Sequence, residues 1–290
     1  PRHPYVLARP SLVLLLAGIM IICLCGTPRQ PGWPPRDWVL VVCDVGQGDG
    51  IVVRTARDSA VVVDTGPAPA AMRGCLDRLD VTRVPLLIIT HFHADHVDGL
   101  TGVMQHRRIG QLWVSPLAPP GPLSTLIAQQ TAQNGVPVYA PPRGTSASVG
   151  AAELQVLGPV DHLAFGQDES SLQNDSSLVI MVTVAQLRVL LTGDVEPPGQ
   201  QAIVETGADL HADVLKIPHH GSAQQDPAFI AATHARLAIA SAGVDNDYGH
   251  PAPRTLQLVR SLGMTVLSTD QDGSVAVRMS RSGLAAMKQR

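Results

Sequence analysis

Four side chains able to ligate a metal ion, His91, His93, Asp95 and His96, fall within six residues at the end of the apolar run Leu86–Ile89. In an extended segment, side chains two apart point the same way, so His91 and His93 can share one ion. Asp95 and His96 stand where a helix is about to begin, turned toward a second position close to the first. A lone histidine usually belongs to the surface or the core. A His-x-His-x-Asp-His cluster at a strand end has few structural reasons to exist and points to metal-assisted chemistry.

The elements that must hold this cluster are read from periodicity. Short β-branched runs at Trp38 to Cys43, Ile51 to Thr55 and Ala60 to Val63, separated by turns at Gly46 to Gly50 and Arg57 to Ser59, predict antiparallel strands. Further strands are predicted at Pro85 to Thr90, Leu112 to Ser115, Leu178 to Val184, Arg188 to Thr192, Val214 to Ile217, Ala238 to Ser241, Thr265 to Ser268 and Ser274 to Arg278. Helices are predicted near Ala70 to Leu79, Val97 to Gln105, Leu123 to Asn134, Gln200 to Thr206 and Arg254 to Leu262. Strands followed by helices in two successive halves imply an α/β chain in which two mixed sheets pack face to face with helices outside.

Upstream, residues 12 to 25 carry no charge and are flanked by Arg2, Arg9, Arg29 and Arg36, which predicts a membrane helix within residues 1–27. The start at Pro1 suggests that a longer membrane region precedes it. Four prolines between Pro28 and Pro35 make residues 28–37 a stiff linker, and residues 38–290 a hydrolase domain. The 45% hydrophobic content supports a large core, and the net charge of -3 leaves no basic footprint for long nucleic-acid contacts. Of the four cysteines, Cys23 and Cys25 lie in the apolar run. Cys43 and Cys75 read as small buried side chains, with no disulfide framework.

The His91–Gly99 string resembles the signature of the metallo-β-lactamase superfamily, which binds one or two metal ions at one edge of an αββα sandwich. On that resemblance Asp64, in Val63-Asp64-Thr65-Gly66, braces the metal loop. Asp194, in Leu191-Thr192-Gly193-Asp194, bridges two ions, and His219 is the last histidine ligand. Singly, Asp-Thr-Gly and Gly-Asp are ordinary turn sequences; their order and spacing give them weight. The superfamily's further histidine for the first ion is missing, and the nearest match is Gln173-Asn174-Asp175-Ser176-Ser177. Asn174 or Asp175 would supply an oxygen there, favouring Mn²⁺ over Zn²⁺, or else both residues merely turn the chain. His162 reads as a loop residue.

Three further segments, Asp44–Gly50, Leu215–Ser222 and Asp247–Pro251, resemble the C-terminal domain of the ComEC family of DNA-uptake channels in natural competence. The resemblance implies a DNA nuclease that degrades the strand not imported. It would sit at the cell membrane on the extracytoplasmic side, with DNA and other competence proteins as partners. Two divalent cations, Zn²⁺ or Mn²⁺, would be held by His91, His93 and Asn174 or Asp175 on one side and Asp95, His96 and His219 on the other, with Asp194 between. They would provide an activated water and a Lewis acid. His220, Ser222 and His250 would hydrogen-bond a phosphate oxygen or protonate the leaving oxygen, and Lys216 would meet a phosphate or face solvent. Two other readings stay open: a lactonase or phosphocholine esterase on the same fold, and an inactive module that binds metal and guides DNA.

Overall fold

The computed structural model describes residues 31–160, 168–280 and 283–290. The expected membrane helix, the first residues of the linker and His162 lie outside these. Among the described residues no helix is long and apolar enough to cross a membrane.

In chain order the strands are β1 (Leu40–Val42), β2 (Ile51–Ala56), β3 (Ser59–Val63), β4 (Arg83–Ile89), β5 (Arg108–Val114), β6 (Val138–Tyr139), β7 (Ser146–Val149) and β8 (Ala152–Gly158). They continue with β9 (Val179–Val184), β10 (Leu187–Leu191), β11 (Val214–Lys216), β12 (Leu237–Ala240), β13 (Thr265–Ser268), β14 (Val275–Ser280) and β15 (Gly283–Lys288). The helices are α1 (Pro69–Arg78), α2 (Ala94–Val97), α3 (Leu100–Met104), α4 (Pro122–Asn134), α5 (Glu169–Asp175), α6 (Pro197–Glu205), α7 (Pro227–Ala232), α8 (Pro253–Ser261) and α9 (Thr269–Asp272). Five of them, α1, α4, α6, α7 and α8, open on a proline, so much of the proline content starts helices rather than breaking them.

Two sheets result, ordered β15-β14-β1-β2-β3-β4-β5-β6 and β13-β12-β11-β10-β9-β8-β7. The two-residue period of each strand divides its side chains between two cores. Val52, Val62, Leu87 and Ile89 turn outward onto α1 and α3, while Ile51, Val61, Val63, Leu86 and Ile88 turn inward against Ile180, Val182, Val189 and Leu191 of the second sheet. On the far side, Met181, Leu190 and Leu215 pack with Phe229, Ile230 and Val259 of α7 and α8. These layers make the αββα sandwich expected from the sequence.

Strands β3, β4, β5 and β6 are parallel, as are β10, β11, β12 and β13. Their carboxyl ends open on one edge, where ligands of parallel sheets collect. The predicted helix over Val97 to Gln105 is broken at Gly99. A Cβ there would meet the Thr65 carbonyl oxygen at 1.8 Å, so the loop after β3 presses into the gap between α2 and α3.

Cys43, just after β1, and Cys75, on α1, form a disulfide with 6.1 Å between their Cα atoms. This corrects the reading of both as plain buried thiols: residues 32 apart are brought together by the packing of α1 on the first sheet. A closed loop of that length stabilises the fold by about 3–4 kcal/mol through the lost entropy of the unfolded chain. Cys75→Ser should therefore lower the urea midpoint. A variant unfolding at the same urea concentration as the native protein, with the native protein insensitive to reductant, would show the bond to be energetically idle.

Candidate metal centre

The carboxyl end of β4 delivers His91, which is fully buried. Its Nδ1 lies 3.2 Å from Thr90 Oγ1 and 3.3 Å from Ser177 Oγ, leaving Nε2 pointed at Asp194, 4.0 Å from Oδ2. The His93 ring stands edge-on 4.6 Å from that of His91. His96 is fixed from behind: its Nδ1 lies 2.8 Å from Asp64 Oδ2, while Nε2 faces Asp194 Oδ2 at 3.2 Å and Asp95 Oδ2 at 3.8 Å. Asp64, in a left-handed conformation (φ 57), also accepts from the Thr90 backbone N–H and Thr90 Oγ1, each at 2.8 Å. One carboxylate thus ties the strand end to the imidazole, the arrangement by which an outer carboxylate sets a ligand histidine's tautomer.

From the second sheet, β10 delivers Asp194, and the turn after β11 delivers His219 and His220. Both histidines adopt left-handed backbone angles, which wraps the turn tightly around the strand end. His220 is buried, its Nε2 3.0 Å from Asp194 Oδ2 and 3.1 Å from Asp95 Oδ2. His219 stays partly exposed, 3.8 Å from Asp194 and with Nδ1 3.4 Å from Glu196 Oε1. The sequence reading gives the ligand position to His219 and a substrate role to His220. In the structure His220 closes the cage with Asp95, His96 and Asp194, and His219 lines the wall of the cleft.

The substitute ligands separate likewise. Asn174, on α5, donates from Nδ2 to Glu196 Oε1 at 2.9 Å and leaves Oδ1 buried with no hydrogen-bond partner. Asp175 is engaged elsewhere through one oxygen: its Oδ1 accepts from the backbone N–H groups of Glu196 and Gly199 at the start of α6. Lys216 is also corrected. It is 1% exposed, neither facing solvent nor reaching a phosphate, because Nζ lies 2.6 Å from Asp49 Oδ2 beneath the site. Ser222 lines the cleft, but its hydroxyl is engaged with the backbone of Gln224 at 3.2 and 3.3 Å.

Asp49 and Glu196 are functional candidates that the sequence reading misses. Asp49 Oδ1 lies 3.3 Å from His220 Nδ1, which also faces the Ser241 carbonyl oxygen at 2.9 Å. Asp49, His96, Asp194 and His220 offer ligand atoms all within 4.8 Å of one another. Gly48 before it has no room for a side chain, since a Cβ would meet the Asp95 carbonyl oxygen at 2.1 Å. The one signal available was the run Gly46-Gln47-Gly48-Asp49-Gly50, in which glycines let a backbone approach closely.

The electrostatics suit a cation. Burial opposes charge on His96 and His220, yet the surrounding carboxylates outweigh it and hold both well above the ordinary histidine range. His91 is driven well below that range by burial and by the neighbouring His96. Burial, together with His219 and His220, pushes His250 down to about 4, so at neutral pH its ring offers a hydrogen bond rather than a proton. His91 Nε2, Asp194 Oδ1 and Asn174 Oδ1 are buried without a hydrogen-bond partner, while His96 Nε2 and His220 Nε2 face the carboxylate oxygens of Asp194 and Asp95. Buried polar atoms left unpaired are costly, and a divalent ion among them would satisfy the set. The donor set therefore fits a metal, and protons on His96 and His220 are what it would displace.

The cage lies at the floor of an open cleft of about 740 Å³, whose walls include Gln47, Phe92, Gln173, Gln224, Tyr248 and His250. Among the described residues that line it there is no lysine or arginine.

A family model of the metallo-beta-lactamase superfamily matches residues 43–226. ComE operon protein 3 of Bacillus subtilis (strain 168) is 28% identical over 255 residues, covering 81% of this chain and 32% of that protein. Competence protein ComA of Neisseria gonorrhoeae is 29% identical over 288 residues, covering 97% of this chain and 37% of that protein. Over most of its length the chain is thus similar to competence proteins of the ComEC type, and it spans about a third of the length of these relatives. Among solved structures, the metallo-beta-lactamase fold protein YhfI from Bacillus subtilis superposes with a TM-score of 0.51 at 13% identity, covering 80% of this chain and 96% of that one, a likeness of fold. With the family model spanning both halves of the sandwich, the chain belongs to the metallo-β-lactamase superfamily of metallohydrolases.

Proposed function

We propose that this domain hydrolyses phosphodiester bonds of DNA, using two divalent cations, Zn²⁺ or Mn²⁺, as part of a ComEC-type uptake protein. The observation that carries the reading is the set of buried imidazole and carboxylate atoms converging at the floor of an open cleft, in a chain similar to competence proteins. His91, His93 and Asn174 would hold one cation, and Asp95, His96 and His220 the other, with Asp194 between them. Charge supports two. Asp49, Asp64, Asp95, Asp194 and Glu196 face a single ammonium, Lys216, leaving a net charge of -4 that two divalent cations cancel with the histidines neutral.

When bound, such a pair supplies a water of lowered pKa and Lewis acidity toward a phosphoryl oxygen. The chain does the rest. Asp64 holds His96 in place, and Asp49 with the Ser241 carbonyl oxygen orients His220. Asp95, the most open carboxylate of the cage, is placed to take a proton from an attacking water. His219 and His250 stand together on the wall, rings 5.3 Å apart, where their N–H groups can meet a phosphate or leaving oxygen. The Cys43–Cys75 disulfide supports an oxidising compartment, outside the cytoplasm and beside the membrane that the relatives' type implies.

A cleft whose described lining residues include no lysine or arginine also suits an uncharged ester, which keeps a lactonase or phosphocholine-esterase reading in view. Asn174, in place of a third histidine, does the same for an inert metal-binding module. Incubating the chain in mild detergent with labelled single-stranded DNA, a lactone and a phosphocholine ester, each with Mn²⁺, Zn²⁺ or EDTA, separates these. Metal-dependent cleavage of DNA alone is the expected result. Hydrolysis of the small esters alone, or of nothing, would overturn it.

A further inference from the structure

The loop after β12 presents an unusual side chain. Tyr248 is 73% exposed at the mouth of the cleft, the most exposed aromatic ring among the described residues. Among the described residues its one ring partner is His250, at 5.8 Å and an interplanar angle of 25°, so one face rests on an imidazole of the cleft wall while the ring remains largely exposed. His250 in turn abuts His219 at 5.3 Å, and His219 abuts Asp194 at 3.8 Å. A column of rings therefore leads from solvent to the cage. The loop is pinned, not loose: Asn246 donates from Nδ2 to the carbonyl oxygens of Gly243 and His250 at 2.8 and 2.6 Å, and its Oδ1 accepts from the His250 N–H at 3.0 Å. Gly243 N–H donates to Gln47 Oε1 at 3.2 Å, and its backbone packs directly against Gly46 and Gln47.

An aromatic ring resting on one imidazole with its other face open, on a cleft wall that carries no lysine or arginine among the described residues, is suited to bind through a flat apolar face rather than through charge. We propose that the open face of Tyr248 is the stacking platform for an unpaired nucleobase next to the scissile phosphodiester, making single-stranded nucleic acid the substrate. The proposal rests on the phosphodiesterase reading above and deepens it. Stacking on an aromatic side chain needs an exposed base face, which a duplex hides between neighbouring pairs, and it tolerates any base. It also accounts for how a polyanion is held by a cleft with no lysine or arginine among its described lining residues: the backbone meets the cage, and the base supplies the lateral grip.

The test uses the full chain with Mn²⁺ and a single-stranded oligonucleotide carrying 2-aminopurine, whose fluorescence falls on stacking, read by stopped flow before cleavage and then by steady-state kinetics. For Tyr248→Ala we expect KM to rise by about 5- to 150-fold, kcat to stay within about twofold, and the quench to vanish. Tyr248→Phe should restore all three. An abasic strand of the same length should show no difference between native and Tyr248→Ala protein. Cleavage by both proteins with unchanged KM and quench would overturn the platform and leave the nuclease reading standing. A Tyr248-dependent quench without cleavage would leave the platform and remove the nuclease. Neither quench nor cleavage in the native chain would overturn both.

Discussion

Replacing Asp194 by alanine is expected to lower hydrolysis by about a thousand-fold or more and to strip the protein of most of its bound metal. Asp194 Oδ2 lies between 3.0 and 4.0 Å from a nitrogen of His91, His96, His219 and His220, so it is where the donors of the two sheets meet. Metal assistance is worth several kcal/mol of transition-state stabilisation, and each 1.36 kcal/mol is tenfold in rate, which gives about three orders of magnitude. His219→Ala should cost far less, since His219 belongs to the wall, whereas His220→Ala should approach the Asp194 variant. Rates for the three variants, with metal content by elemental mass spectrometry, decide the matter. An Asp194→Ala protein that keeps its metal and hydrolyses within tenfold of the native rate would remove Asp194 from the centre of the site.

Lys216→Met should destabilise the fold by about 3–5 kcal/mol, because it leaves the Asp49 carboxylate buried without its countercharge. Both side chains are 1% exposed and the ion pair is 2.6 Å long, so water cannot replace the lost ammonium. For a domain of this size the change corresponds to a fall in Tm of about 6–20 °C. The double variant Asp49→Leu, Lys216→Met should recover most of the stability, since apolar packing tolerates the loss of both charges. It should not recover activity, because His220 Nδ1 then keeps only the Ser241 carbonyl oxygen to orient it. Thermal unfolding of the single and double variants checks this. If Lys216→Met melts with the native protein, the pair contributes nothing to the fold.

The sheets were legible in the sequence because most of their strands are runs of valine, leucine and isoleucine between glycine turns. The elements that escaped are those whose local signals are weak or contrary. β7 and β8 carry Ser, Ala, Glu and Gln, and β15, Gly283–Lys288, is rich in alanine and is held as a strand by antiparallel pairing with β14. Helix α5 is itself almost entirely polar and is set by the Asp168 side chain accepting from Ser171 N–H, a cap with no apolar period behind it. The metal motif at 91–96 could be read because its four donors are adjacent. Asp49 could not, since its function arises only when Lys216, 167 positions later, arrives beside it. That His220 lies nearer than His219 to Asp95 and Asp194 depends on two consecutive left-handed residues, which no spacing rule foresees.

The order in which the chain closes has a consequence for when hydrolytic capacity first exists. Asp64 and His91–His96 are carried by strands near the beginning of the domain, but their sheet gains β14 beside β1 only when residues 275–277 pair with 40–42. The Gly48 carbonyl oxygen likewise waits for the Ser241 hydroxyl, 193 positions away, which donates to it at 2.7 Å. Contacts so distant along the chain form late. A nascent or clipped polypeptide lacking them would hold the imidazoles without the frame that aims them, so cutting power would emerge only as synthesis and folding reach completion.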